Sequence, residues 1–198
     1  IPTYLHVPSP GLLRLFWENG ARRFVFEGRE CGGHVGPRTS FVLWEMMVEV
    51  LAEVLPVGKE AERCHVIFAG GIHDELSSAM VAALAAPLAE RGVKIGVLMG
   101  TAYLFTEEAV ATGAIVKGFQ EEAIKCTRTI LLETGPGHAT RCADTSFGEV
   151  FRSEQSRLLK EGCPAEEIRE ALEGLNLGRL RNASKGIARS SRTGQDAA

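Results

Sequence analysis

The sequence has no Cys-x-x-Cys pair, no Walker-type G-x-x-x-x-G-K-[ST] loop and no G-x-G-x-x-G turn after a strand. It also has no apolar run near the ~20 residues that cross a bilayer. Each absence removes a class of function. The five cysteines, Cys31, Cys64, Cys126, Cys142 and Cys163, are scattered and odd in number. That argues against a disulfide frame or a zinc site, and is expected of reduced thiols in a cytoplasmic protein. An excess of positive charge is missing as well: 22 Lys and Arg stand against 25 Asp and Glu, a formal charge of −3. Nucleic-acid and polybasic membrane partners are therefore not expected. The N-terminal IPTYLHV carries neither the charged nor the long apolar segment of a signal peptide. With no dinucleotide fingerprint and no Walker loop, a phosphorylated ligand is expected to be a mononucleotide or a sugar phosphate.

The 198 residues are 45% apolar and 24% charged, enough for one good-sized core or two small ones. Four short apolar runs end in glycine or proline: Tyr4 to Val7, Phe24 to Phe26, Val66 to Ala69, and Ile95 to Met99. None alternates with polar residues, which predicts strands buried on both faces of a parallel sheet. Helices are expected between them, over Gly11 to Asn19, Thr39 to Leu55 and Asp74 to Arg91. In the second, Glu45, Glu49 and Glu53 mark one polar stripe. In the third, Asp74 reads as the N-cap and Gly92 lies just past the end. Strand and helix thus alternate, the signature of a parallel α/β fold with right-handed crossovers. Four such units make half of an eightfold barrel or most of a small doubly wound sheet, and composition does not choose. Further on, helices are expected over Glu107 to Thr112, Lys117 to Leu132, Phe151 to Lys160 and Pro164 to Leu175. Thr134 to Phe147 reads as a long polar loop, and residues 190–198 as a disordered tail.

Three strand ends carry the candidate chemistry. Gly32-Gly33-His34 follows the second run, where paired glycines admit a flat or phosphorylated ligand and an imidazole, reference pKa ~6.5, can exchange protons. The alternative there is a turn with a surface histidine. Ala69-Gly70-Gly71-Ile72 ends the third run just before a helix, where backbone N–H groups bind anions. Gly100-Thr101 ends the fourth and adds a hydroxyl. Together these two would form one phosphate cup; each alone is a tight turn. His6, His65, His73 and His138 are weaker candidates, and no set of residues has metal-ligand spacing.

These three motifs, in this order, resemble the nitronate monooxygenase (2-nitropropane dioxygenase-like) family, which includes flavin-dependent enoyl-acyl-carrier-protein reductases. FEGRECGGHVGPRTSFVLWE and GTAYLFTEEA further resemble the flavin domain of polyketide or polyunsaturated-fatty-acid synthases. The resemblance implies the C-terminal half of an FMN-binding (β/α)8 TIM barrel over residues 1–113. A helical extension with a Gly/Pro loop would follow over 114–189. His34 would be catalytic. Gly32 and Gly33 would lie at the flavin, and Gly70, Gly71, Gly100 and Thr101 would hold the FMN phosphate. NAD(P)H is the implied electron donor of the reductases. The substrate would be a small molecule or a carrier-bound acyl group, with neighbouring synthase domains as partners. A non-catalytic scaffold domain of such a synthase is the remaining alternative. The family's N-terminal strands have no counterpart and the first residue is Ile, so the chain is expected to be a piece of a longer protein, inactive by itself.

Overall fold

The structure is a computed structural model and describes residues 1–56, 58–189 and 196–197. It divides into two compact units, Ile1–Gly100 and Thr101–Ala198.

The first unit runs β1 (Leu5–His6), α1 (Pro10–Glu18), β2 (Arg23–Glu27), β3 (Gly33–Val35), α2 (Ser40–Val54), α3 (Lys59–Glu62), β4 (His65–Ala69), α4 (Glu75–Ala89) and β5 (Lys94–Leu98). The expected strands and helices are all present. The short α3 and β3 were not anticipated. Ser9 caps α1, with Pro10 in its first turn. Asp74 caps α4 in a full capping box with Ser77.

The sheet order is β1-β2-β4-β5, every neighbour parallel. Strands therefore follow one another across the sheet without reversal, as in a singly wound barrel sector and unlike a doubly wound sheet. The helices agree. Leu13 of α1, Met47 and Leu51 of α2, and Val81 and Leu88 of α4 join Phe24, Phe26, Val66 and Phe68 in one core. All three helices thus cover the same face. Each fully buried Phe or Leu there contributes ~1.5–3 kcal/mol. This corrects the expectation of strands buried on both faces. Phe24, Phe26, Val66 and Phe68 are buried, while Val25 and Ile67, on the alternate face, are only partly covered. Glu45, Glu49 and Glu53 form the exposed stripe of α2 as expected.

The second unit opens with a 3-10 turn, Thr101–Phe105, then α5 (Glu107–Ala111), α6 (Lys117–Lys125), β6 (Thr129–Gly135), β7 (His138–Ala143), α7 (Ser146–Lys160), α8 (Ala165–Asn176) and α9 (Arg179–Lys185). Two expectations fail here. The helix predicted over Lys117 to Leu132 ends at Lys125, because Cys126 turns extended. The loop predicted over Thr134 to Phe147 is mostly the return strand of a hairpin. β6 and β7 pair antiparallel from Thr129↔Ala143 to Gly135↔His138 across Pro136-Gly137. The hairpin buries Leu132 against Phe151 and Leu158 of α7 and Ile168 and Leu172 of α8. The region is therefore mixed α and β rather than a purely helical extension. Ala188–Arg189 (β8) and Asp196–Ala197 (β9) pair antiparallel; the rest of the tail expected at 190–198 lies outside the described residues.

Candidate functional site

Parallel pairing places the C-terminal ends of β1, β2, β4 and β5 along one edge, where α/β folds bind ligands. Three of the expected elements start from that edge: the loop carrying Gly32, Gly33 and His34 after β2, the Gly70-Gly71 turn after β4, and Gly100 after β5. Thr101 opens the second unit.

The loop after β2 is closed at its base, with the Arg29 N–H donating to the Arg38 carbonyl at 2.9 Å. Inside it, the Cys31 N–H donates to Gly28 O at 3.2 Å, and Cys31 Sγ lies 3.7 Å from His34 O. Cys31 is buried, whereas His34 is exposed. A Cβ at Gly32 or Gly33 would meet nothing within 4 Å, and the same holds at Gly100. These backbones are reachable by a flat ligand.

Gly70 and Gly71 differ. Their φ angles, +107° and +81°, lie in the region that side-chain-bearing residues avoid. A Cβ at Gly70 would sit 2.5 Å from Ser40 Oγ, and one at Gly71 would sit 3.2 Å from Glu30 Cβ. Backbone angle and packing thus already call for glycine at both positions. The second contact also joins two of the expected motifs: the Gly71 turn lies directly against the loop that carries His34. Among the described residues, no backbone acceptor takes the N–H of Gly71 or Ile72.

The helix termini behind the edge are already supplied with anions. Glu30 Oε2 accepts the Ser40 N–H at 2.6 Å at the start of α2. Asp74 accepts the Ser77 N–H at 2.8 Å at the start of α4, and the Ser77 bonds hold its carboxyl below the usual carboxylate range. The expected cap at Asp74 is therefore present, and it takes the Ser77 N–H of the first turn of α4. The donors left for an anion are the turn's own N–H groups. His73 bonds Gly71 O through Nδ1 at 2.9 Å and faces Asp74 at 3.4 Å, in keeping with its reading as a helix-start residue. Ser40 Oγ, buried beside Gly28 and Gly70, has no hydrogen-bond partner among the described residues.

A pair that the motif reading did not bring together stands on the same edge. His6 Nε2 lies 2.7 Å from Glu27 Oε2. Register explains it. His6 pairs with Val25, and Glu27 lies two residues on, hence on the same face. The Glu27 hydrogen bond raises the His6 pKa despite burial. The His6 hydrogen bond lowers that of Glu27, and the Cys31 thiol adds to the lowering. Only strand register reveals the pair.

A cavity of about 520 Å³ lies at the opposite edge, lined by Arg23, Arg63, His65 and Lys94 among others. His65 accepts from or donates to the Tyr4 hydroxyl at 2.9 Å. Burial, then Lys94 and Arg23, lower its pKa. This edge is remote from the glycine motifs. Among the described residues no cluster of three metal-binding side chains occurs, and no helix is long and apolar enough to cross a membrane.

The chain matches the family model described as nitronate monooxygenase over residues 7–176. FabK from Thermotoga maritima has a similar structure, with a TM-score of 0.66 at 27% identity over 91% of this chain and 48% of that one. A mutant of that protein matches with a TM-score of 0.53 at 23% identity, over 90% and 61%, a likeness of fold alone. The chain spans about half the length of the first of these structures. No curated protein matches it.

Proposed function

The chain belongs to the nitronate monooxygenase family, and from that premise we propose that it is the C-terminal sector of an FMN-dependent barrel oxidoreductase. The observation that carries this reading is the meeting of the Gly71 turn with the His34 loop, on the edge where parallel α/β folds bind cofactors. The residues fit the group in two ways. Among the described residues the N–H groups of Gly71 and Ile72 have no backbone acceptor, and they suit a phosphate. The open backbone at Gly32 and Gly33 suits a flat ring. The sheet face left bare by the helices is the face that a barrel turns inward, which supports barrel closure by residues beyond this chain.

When bound, FMN supplies the electron transfer. The protein's own part is to hold the phosphate at Gly70, Gly71 and Gly100, to lay Gly32 and Gly33 against the ring, and to present His34. In nitronate chemistry His34 removes the proton beside the nitro group. A second reading, reduction of a carrier-bound enoyl thioester with NAD(P)H as donor, is favoured by the likeness to FabK at 27% identity. Carrier-protein and synthase-domain partners belong to that second reading, as does a cytoplasmic setting.

The test has two stages. FMN is titrated into the protein and followed by quenching of flavin fluorescence. The loaded protein is then assayed with 2-nitropropane, which still carries the proton beside its nitro group, and, separately, with an enoyl thioester plus NAD(P)H. His34→Ala should keep FMN and lose ~10²–10⁴-fold in proton-abstracting turnover. A protein that leaves flavin fluorescence unquenched throughout the titration would overturn the proposal and favour a scaffold role. Turnover of the thioester alone would select the second reading.

A further inference from the structure

Both readings share one chemical demand. When a proton leaves the carbon beside a nitro group, charge gathers on the nitro oxygens. When hydride adds to an enoyl thioester, charge gathers on the carbonyl oxygen. Either way an oxygen conjugated to the reacting carbon becomes anionic and needs a donor set in advance.

The His6–Glu27 pair has the build of such a donor. Val7 and Phe26 are fully buried on the helix-covered side, so His6 and Glu27, each one residue before or after them, project on the bare face. His6 ends β1 and Glu27 ends β2, on the same sheet edge as the Gly71 turn after β4, and the His34 loop departs just after Glu27. The His6 side chain is 52% exposed and that of Glu27 28%. The imidazole is thus reachable while its partner is largely covered. Glu27 engages Nε2 at 2.7 Å, which fixes the ring and favours its charged form. Among the described residues, nothing accepts from Nδ1. Glu27 also receives the Cys31 thiol, whose sulfur lies 3.7 Å from His34 O. One carboxylate thereby ties the His6 ring to the loop that carries His34.

We propose that His6 is the oxyanion donor of this edge: with Nε2 held by Glu27, its imidazolium offers Nδ1–H to the substrate oxygen on which negative charge collects. The substrate class is then a carbon compound activated by a nitro or thioester carbonyl group. This inference rests on the flavin reading above. The charged groups facing His6 are Glu27 from β2 and, as a neutral donor to Glu27, Cys31 from the following loop.

The test binds propane-2-nitronate under nitrogen to the FMN-loaded protein, with the His6 ring followed by NMR. Wild type should bind about 10- to 100-fold more tightly than His6→Gln, the worth of one charge-assisted hydrogen bond. The affinity should fall as pH rises through the His6 titration, and Glu27→Gln should move that fall to lower pH. Equal affinity in wild type and His6→Gln, or an His6 ring signal unmoved by the anion, would overturn the inference. FMN retention is read on the same samples. A protein that fails to hold FMN refutes the flavin reading, while the anion's effect on the His6 ring of the flavin-free chain still decides for or against the donor.

Discussion

Gly28 is the residue whose replacement the packing punishes most directly. It directly follows β2, and its N–H donates to Ala69 O at 3.0 Å, which holds it against the end of β4. A Cβ at this position would lie 2.6 Å from Ser40 Cβ and closer still to Ser40 Cα. Ser40 has little room to retreat. Its N–H is held by Glu30 at 2.6 Å, and α2 behind it is anchored by buried Leu43, Trp44 and Met47. The obstacle is backbone, so Gly28→Ala belongs at the upper end of overpacking costs, ~3 kcal/mol. With a urea slope of ~2 kcal/mol/M, the midpoint should fall by ~1.5 M. Both tryptophans, Trp17 and Trp44, lie in the first unit, so tryptophan emission reports that unit alone. Gly32→Ala is the control, because a Cβ there meets nothing within 4 Å. Its midpoint should stay within ~0.3 M of wild type, as for an ordinary surface change. A Gly28→Ala midpoint inside that same margin, or an equal fall in Gly32→Ala, would refute the reasoning.

Ser40→Ala removes a buried hydroxyl that has no partner and should raise the same midpoint by ~0.5 M, about 1 kcal/mol; a lower midpoint would show that the oxygen is bonded. The His6–Glu27 pair makes stability depend on pH. His6, raised above 6.5, contributes fully below that pH and less as pH climbs through its folded pKa. Glu27, lowered from 4.5, contributes above that pH and loses its effect as pH falls through its folded pKa. Glu27→Gln should therefore cost most between pH 4.5 and 6.5 and least in alkali; a loss equal at both would contradict the pairing. Gly71→Asp and Gly71→Ala both place a Cβ at positive φ and against Glu30, but only the first sets a carboxylate at the turn. FMN should bind at least ~10-fold more weakly to Gly71→Asp than to Gly71→Ala, and equal affinities would remove the phosphate from that turn.

The first unit was legible because its signals are local and agree. Apolar runs, an acidic stripe every fourth residue, and Asp74 before α4 each marked an element within a residue or two. Chain order with right-handed crossovers then placed three strand ends together. The hairpin of the second unit was hidden because Thr129–Gly135 follows a good helical start without a break, and because His138–Ala143 is short, small and polar. Its burial rests on Leu132 meeting α7 and α8, which no short window displays. The same limit applied at the site. Gly70 and Gly71 read as ligand glycines, whereas Ser40 and Glu30, distant in sequence, supply much of their reason. His6 and Glu27 meet only through strand register.

Among the described residues no strand pairs beyond β5, and Val97 and Leu98 are exposed there. Such a border is a template waiting for any extended peptide, including another molecule of the same kind. Concentrated solutions should therefore self-associate along this flank first. A lysine in place of Val97 is the most economical way to keep them clear, since it places charge on the ladder itself and leaves the helices and the glycine turns untouched.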